Sequence, residues 1–309
     1  MKQFDPNNVN GVIPAMITSF NNDESINKEG IRKTVNYLIS EKVDGLYVTG
    51  STGETFLMSQ EEKKQAIEVI VEEVNGRVPV IAHIGSIGTK ITTELGMHAE
   101  KVGVDALSAL PPFYYGFTNE EIFNYYSDIS NSTNLPITVY NISHANLMDL
   151  DMLKRLASIE NVKGVKYTAP THFNFSKIKK EIGEDFKIYS GMDEMALSGL
   201  ISGADGIIGS FYNLMPELFV ALYTNIKKEN INEAKKIQEK INIIILYALS
   251  KSGYPFIKMG MKWLEVDSGC VRRPFSTFVN KEIENTIKND LKKIAVENDL
   301  SGIKFLDAI

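Results

Sequence analysis

Cysteine and histidine are scarce in this sequence. Its 309 residues include one cysteine, Cys270, and four histidines, His83, His98, His144 and His172. A lone cysteine cannot form a disulfide within the chain, and the four histidines do not have the spacing of metal ligands. We therefore expect neither an internal disulfide nor a bound metal.

The sequence also lacks an excess of basic residues. Lys and Arg number 33 against 39 Asp and Glu, which gives a formal net charge of -6. Proteins that bind nucleic acid present positive charge to its phosphates, so nucleic acid is not an expected partner. Mild acidity mainly favours solubility.

Long apolar segments are missing as well. The most apolar run, residues 241–249, is too short to span a bilayer, and residues 1–20 lack the apolar segment of a secretory signal. With 43% hydrophobic and 23% charged residues, the composition is typical of a globular protein with a large core. We expect a cytoplasmic protein without membrane contacts.

Short β-branched runs alternate with helical patterns along most of the chain. Eight such runs begin near residues 12, 45, 78, 106, 136, 162, 186 and 206. After the second run, residues 59–74 place Ala66, Ile67 and Ile70 on one helical face behind Ser59, a typical N-cap. Eight alternations with short loops predict an α/β fold, the (β/α)8 TIM barrel; an open doubly wound sheet is the alternative.

Only helical patterns follow the eighth strand. They cover about residues 214–228, 231–251, 255–265 and 278–297. The first would complete the barrel, so we expect residues 1–228 to form the barrel and residues 229–309 to form a C-terminal helical extension packed on it.

Two residues at predicted strand ends suggest carbonyl chemistry. Active sites of TIM barrels lie at the carboxyl ends of the strands. Lys166 ends an apolar strand, and a buried amine has a lowered pKa and becomes a nucleophile toward carbonyl groups. Tyr140 ends the preceding strand and could move protons, with Ser51 and Tyr114 at other strand ends completing a hydrogen-bond chain. The alternatives are a solvated or ion-paired lysine and tyrosines that belong to the core.

Other strand ends offer groups for anions and hydroxyls. Residues 50–54, GSTGE, form a tight loop with backbone N-H groups and hydroxyls suited to a carboxylate, and they lack the ending of a phosphate-binding P-loop. Residues 191–194, GMDE, and residues 209–210 offer two carboxylates and a hydroxyl, which suit a polyhydroxylated ligand. The two acids could instead serve only as favourable charges at a helix N-terminus.

Together these segments resemble the N-acetylneuraminate lyase and dihydrodipicolinate synthase superfamily over about residues 10–295. The resemblance rests on several motifs, namely GLYVTGSTGE at 45–54, ALSALPPFYYGF at 106–117, VYN at 139–141, GVKYT at 164–168, GMDE at 191–194, GADGIIGSFYN at 203–213, and Cys270 with Arg272 to Phe275. The resemblance implies a pyruvate aldolase that works through a lysine Schiff base.

The same resemblance assigns roles to the strand-end residues. Pyruvate would form the Schiff base with Lys166, Tyr140 would be the acid/base, and Tyr114 would complete the proton relay. Ser51 and Thr52 would hold the pyruvate carboxylate. Five further residues would bind the sugar half of the substrate: Thr168, Gly191, Asp193, Glu194 and Ser210. The resemblance implies no metal and no external cofactor, because the protonated imine accepts the electrons, and it implies a homotetramer.

Within the superfamily the sequence resembles the sialic acid lyase branch. The synthase branch has an arginine shortly after the tyrosine, and residues 141–150 contain none. This favours cleavage of N-acetylneuraminate to pyruvate and N-acetylmannosamine. The alternatives are another 2-keto-3-deoxy sugar acid, the dihydrodipicolinate synthase reaction, or a non-catalytic sensor of 2-keto acids.

Two departures from the lyase branch affect the predicted sugar pocket. The 142–149 loop is about two residues short, and Phe211 replaces a small hydroxyl residue. Both changes suggest a narrower or drier sugar pocket. His144, within this loop, could contact the substrate or be solvated, and we favour the solvated residue.

Overall fold

Eight parallel strands form the centre of the molecule. The structure is a computed structural model that describes residues 9–145, 147–276 and 280–309. The strands are β1 (Gly11–Pro14), β2 (Leu46–Val48), β3 (Val80–His83), β4 (Ala106–Ala109), β5 (Ile137–Ile142), β6 (Val162–Thr168), β7 (Lys187–Ser190) and β8 (Gly206–Gly209). Each begins close to a β-branched run of the sequence.

The strands close into a barrel. Their order is β1-β8-β7-β6-β5-β4-β3-β2, and every pair is parallel. A bridge between Ala15 and Tyr47 joins the two ends of this sheet, and the Met16 N-H donates to the Tyr47 carbonyl at 2.8 Å. The fold is therefore a (β/α)8 TIM barrel, which confirms the predicted fold class.

Helices alternate with the strands and then continue alone. They are α1 (Lys28–Ser40), α2 (Gln60–Val74), α3 (Thr89–Val102), α4 (Asn119–Asn131), α5 (Leu150–Ala157), α6 (Asn174–Ile182), α7 (Ala196–Ile201), α8 (Pro216–Lys227), α9 (Ile231–Leu249), α10 (Tyr254–Trp263), α11 (Lys281–Glu297) and α12 (Lys304–Asp307). At α2 the Ser59 hydroxyl accepts from the Glu62 N-H while the Glu62 carboxylate accepts from the Ser59 N-H. This capping box confirms the predicted N-cap.

Strand alternation separates an interior from an exterior set of side chains. The interior below the mouth is filled by Ile13, Tyr47, Ile81, Tyr189 and Ile208, among others, whereas the outward side chains pack under the helices. Because facing residues of parallel strands point to the same side, the register places side chains of β5, β6 and β7 next to each other inside the barrel. Tyr140 faces Lys166, and Lys166 faces Tyr189.

The helices after α8 pack against one side of the barrel. Phe219 of α8, Ile241 of α9 and Phe256 of α10 share one buried apolar cluster with Ile207 of β8. The last long predicted helix, 278–297, is α11, and residues 278 and 279 lie outside the described residues. Within the described ranges, none of the helices combines the length and apolarity that crossing a bilayer requires.

Candidate active site

Lys166 lies at the mouth of the barrel in an aromatic environment. Its side chain is 5% exposed, and its Nζ lies 4.0 Å from the ring centre of Tyr140 and 4.5 Å from that of Tyr47. Burial lowers the pKa of Lys166 to about 7, and the nearby charge of Asp193 opposes this shift. Much of the amine is therefore unprotonated at neutral pH, as a nucleophile that attacks carbonyl carbon must be.

Tyr140 is buried directly beside this amine. Burial raises the pKa of its phenol, and the neighbouring hydroxyls of Ser51, then of Thr168, oppose this shift. Two of the residues predicted from strand ends thus converge on the same phenol. A phenol with hydroxyl partners next to an amine can pass protons to and from a group bound at that amine.

The loop after β2 folds tightly over the barrel mouth. Within the described part of the chain, the backbone N-H groups of Ser51, Thr52 and Gly53 donate to no protein acceptor. A Cβ on Gly50 would lie 2.6 Å from the Tyr47 ring, so only glycine allows this approach. Unused N-H groups on one short loop suit a small anion such as a carboxylate.

The Thr52 side chain connects this loop to the end of β8. Its Oγ1 lies 2.7 Å from the Ser210 hydroxyl. Thr52 is buried, whereas Ser51 and Ser210 are partly exposed. The loops after β2 and β8 therefore share one polar wall at the mouth.

Asp193 is held between the ends of β7 and β8. Its Oδ2 accepts from the Phe211 N-H at 2.7 Å. Burial raises the pKa of Asp193 to about 7, and the Phe211 N-H opposes the shift. A Cβ on Gly209 would lie 1.9 Å from Asp193 Oδ1, so the carboxyl fits only because residue 209 is glycine.

The neighbouring polar groups are more open. Glu194 is exposed, and Gly191 and Thr168 are partly exposed at the same mouth. A Cβ on Gly191 would lie 2.0 Å from Thr168 Oγ1. The described residues contain no group of three or more His, Cys, Asp or Glu arranged to hold a metal.

Tyr114 is the predicted site residue that lies apart from the others. It is 85% exposed, its φ of 81° is left-handed, and its ring packs on Tyr115 at 5.1 Å between centroids. Among the described contacts of one chain, none joins Tyr114 to Tyr140. The other nine predicted residues surround the barrel mouth.

Known proteins share the sequence pattern and the fold of this chain. Residues 8–294 match the model of the dihydrodipicolinate synthetase family. The chain belongs to this family. N-acetylneuraminate lyase from Fusobacterium nucleatum is 37% identical, with a TM-score of 0.86 over 91% of this chain and 98% of that chain.

Two other solved members of the family extend the comparison. A sialic acid aldolase from Ruminococcus gnavus, solved as a catalytic lysine mutant, is 31% identical, with a TM-score of 0.88 over 100% of this chain and 98% of that chain. Dihydrodipicolinate synthase from Bacillus anthracis is 27% identical, with a TM-score of 0.85 over 91% of this chain and 97% of that chain. The family's aldolases use a lysine Schiff base with pyruvate and need no external cofactor. The chain is accordingly a Schiff-base lyase.

Sequence reasoning missed His83, which ends β3 beside Tyr140. The two rings are 6.0 Å apart and nearly perpendicular. His83 Nδ1 lies 3.3 Å from the Thr49 carbonyl, and its Nε2 accepts from the Leu110 N-H at 3.4 Å. Burial lowers the pKa of His83 to about 3, so it is neutral and links the loops after β2 and β4. Its position at a strand end was the signal that could have identified it.

The two departures from the lyase branch, Phe211 and the short 142–149 loop, differ in how deeply they are buried. The Phe211 side chain is buried in the apolar cluster between barrel and extension. In the shortened loop, the Asn141 amide accepts from the Met148 N-H at 2.8 Å and donates to the Met148 carbonyl at 3.0 Å, which fixes the end of the loop. His144 is exposed, and Asn146 lies outside the described residues.

Proposed function

We propose that this protein is an N-acetylneuraminate lyase that cleaves sialic acid to pyruvate and N-acetylmannosamine through an imine on Lys166. The main support for this proposal is the buried Lys166 amine, which has a pKa of about 7 and whose Nζ lies 4.0 Å from the ring centre of Tyr140. An amine in this state attacks a keto carbon at neutral pH without a metal. Similarity to lyases with 31% and 37% identity supports the sugar substrate.

The chemistry follows from the protonated imine. Lys166 Nζ attacks the C2 keto carbon of open-chain N-acetylneuraminate, and the Tyr140 phenol gives its proton to the C2 hydroxyl of the adduct, so that water leaves and a protonated imine and a Tyr140 phenolate remain. Tyr140 takes the proton of the C4 hydroxyl, the C3-C4 bond breaks, and its electron pair moves to the imine nitrogen to give an enamine. N-acetylmannosamine leaves as the aldehyde. Protonation of the enamine at C3 and hydrolysis of the imine then release pyruvate and restore the amine.

The polar groups around the mouth suit the two halves of this substrate. The unused N-H groups and hydroxyls of Ser51 and Thr52 would hold the C1 carboxylate. We assign the sugar hydroxyls to the groups that follow β6, β7 and β8, namely Thr168, Gly191, Asp193, Glu194 and Ser210. Asp193 with its raised pKa can both donate and accept near neutral pH, which suits a hydroxyl ligand.

We also propose a homotetramer in which subunit contacts cover an aromatic patch. This patch consists of Phe56, Phe113, Tyr114 and Tyr115. Tyr114 is 85%, Tyr115 62% and Phe56 46% exposed, and large exposed aromatic groups mark contact surfaces. The relay role of Tyr114 would require this assembly, because within one chain its ring lies on Tyr115.

Trapping of the imine tests the proposed reaction. The protein is incubated with borohydride and either pyruvate or N-acetylneuraminate, and the adduct is mapped by peptide mass spectrometry. We expect a reduced pyruvyl adduct on Lys166 with both compounds and release of N-acetylmannosamine from the sugar. Lys166→Met is the negative control.

The outcomes separate the possible substrates. An adduct with pyruvate but none with N-acetylneuraminate would move the search to other 2-keto-3-deoxy sugar acids or to the synthase reaction. The synthase reaction is disfavoured by the absence of arginine from residues 141–150. No adduct with either compound would overturn the aldolase assignment and favour a sensor of 2-keto acids.

A further inference from the structure

Helix α10 of the C-terminal extension faces the back of the carboxylate-binding loop. Tyr254 and Lys258 are four residues apart and therefore lie on one face of this helix. Burial raises the pKa of the Tyr254 phenol, and the nearby Thr52 hydroxyl opposes this shift. One helix face outside the barrel thus reaches two residues of the 50–54 loop.

Lys258 is buried and uses all three of its ammonium donors. Its Nζ donates to Glu54 Oε1 at 2.6 Å, to the Thr18 carbonyl at 2.7 Å and to the Cys270 carbonyl at 2.6 Å. These acceptors belong to the loop after β2, the end of β1 and the extension. Because an ammonium group has three directed donors, this arrangement fixes the three segments relative to each other.

Glu54 receives a second contact from the extension. Its Oε2 accepts from the Arg272 N-H at 2.7 Å, and its φ of 59° is left-handed, which turns the chain at the end of the loop. The carboxylate and the ammonium group of this pair are both buried. A buried ion pair contributes little net stability, yet removing one partner is costly. The main effect of the Lys258–Glu54 pair is therefore to fix the position of the 50–54 loop, rather than to add stability.

The extension thereby controls the position of the carboxylate-binding groups. Ser51, Thr52 and Gly53, with their unused N-H groups, immediately precede Glu54. We propose that Lys258 is a positioning residue that acts through Glu54 to hold these N-H groups where a substrate carboxylate binds. Lys258 itself does not touch the substrate in this proposal, which rests on the proposed pyruvate aldolase function.

The test compares a ligand that has a carboxylate with one that does not. Pyruvate and methyl pyruvate present the same keto carbon to Lys166, but the ester lacks the anionic group. The half-saturating concentration for each is measured by cyanoborohydride trapping on the wild-type protein and on the Lys258→Met variant. Folding of each variant is checked by circular dichroism.

The Lys179→Met variant is the matched control. Lys179 is also a largely buried lysine, and its Nζ donates to Asp205 Oδ2 and to the Glu184 carbonyl, both at 2.8 Å. These partners lie at the opposite end of the barrel, Glu184 before β7 and Asp205 before β8. Loss of this pair should lower stability without changing either half-saturating concentration.

We expect Lys258→Met to raise the half-saturating pyruvate concentration roughly ten- to hundred-fold, because displacements of about 1 Å have effects of this size. The value for methyl pyruvate should change by less than about threefold, since the ester does not use the anion site. Equal losses for both ligands, or no loss in a folded variant, would overturn the proposal.

A second variant guards against misfolding. If Lys258→Met does not fold, Glu54→Gln replaces it, because an amide keeps the shape and an acceptor while removing the charge. It should show the same selective loss for pyruvate, and an unchanged pyruvate value would overturn the proposal. If the wild-type protein itself forms no pyruvate adduct, the proposed function fails and this inference fails with it. If the wild-type protein forms the adduct and the variants keep its half-saturating pyruvate concentration, the positioning role of Lys258 is contradicted while the proposed function stands.

Discussion

At the scale of single residues, the environment of Lys166 sets the pH at which the enzyme works. Its pKa is lowered to about 7 from an ordinary 10.5, and only the neutral amine attacks a carbonyl. We predict that the initial rate of pyruvate trapping rises with pH and levels off above a midpoint of about 7. A rate that keeps rising steeply above about pH 9 would contradict the lowered pKa.

A substitution of Asp193 tests the direction in which its charge shifts the pKa of Lys166. Its charge raises the pKa of Lys166 against the larger effect of burial. Asp193→Asn should therefore move the midpoint of the trapping profile to lower pH. A shift to higher pH would mean that another group sets the profile.

The same lysine should also make stability depend on pH. Above about pH 10.5 the amine is neutral in both the folded and the unfolded chain. As the pH falls toward about 7, the unfolded chain binds a proton that the folded chain does not, so the folded state loses stability in this window. Lys166→Met should remove this loss, so its free energy of unfolding should exceed that of the wild type by roughly 5 kcal/mol below pH 7. Urea unfolding at about pH 6.5 and pH 9.5 checks this, with the difference narrowing at the higher pH.

Loss of the Tyr140 hydroxyl should affect the proton steps alone. Tyr140→Phe keeps the ring packed against Lys166, so imine formation with pyruvate should persist in part. Cleavage of N-acetylneuraminate should slow by about 10²- to 10⁴-fold. The control is Tyr189→Phe, another buried tyrosine inside the barrel, whose hydroxyl donates to the Val9 carbonyl away from the mouth. Equal losses in both variants would assign the effect to packing.

At the scale of elements, glycine at a strand end leaves room for a functional side chain from a neighbouring loop. Gly209 ends β8 where a Cβ would lie 1.9 Å from Asp193 Oδ1. Gly209→Ala should displace Asp193, destabilise the fold by about 1 to 3 kcal/mol and reduce sugar cleavage more than pyruvate trapping. Gly116→Ala is the control, because nothing lies within 4 Å of a Cβ there. If Gly209→Ala cleaves the sugar with unchanged kinetics, Asp193 does not take part in the proposed sugar binding.

At the scale of the whole molecule, the aromatic patch defined above should govern assembly. Replacing Tyr114 and Tyr115 together by Asp places charge on the patch, so we expect smaller oligomers in sedimentation velocity and lower lyase activity. Val296→Asp on α11 is the control, since Val296 is also 85% exposed and lies outside the patch. A wild-type protein that is monomeric and fully active would contradict both the tetramer and the relay role of Tyr114.

Most of the barrel was predictable because its signals are local. β-branched runs, helical periodicity and the Ser59 cap each depend on a few neighbouring residues, and they correctly predicted eight strands and the helices between them. The pairing of Lys166 with Tyr140 also followed, since both end adjacent parallel strands. His83 was missed although it ends β3, because a histidine in an apolar run gives no sign of its partners.

By itself the sequence determined the fold class, the family and the strand-end residues at the barrel mouth, since alternation and motif spacing are properties of short segments. Only the tertiary structure decided which of these residues meet. The contact between Lys258 and Glu54 joins residues 204 positions apart, and the exposure of Tyr114 depends on how its loop folds back. The lowered pKa of Lys166 likewise arises from burial by Tyr47 and Tyr140, which no single stretch of sequence contains.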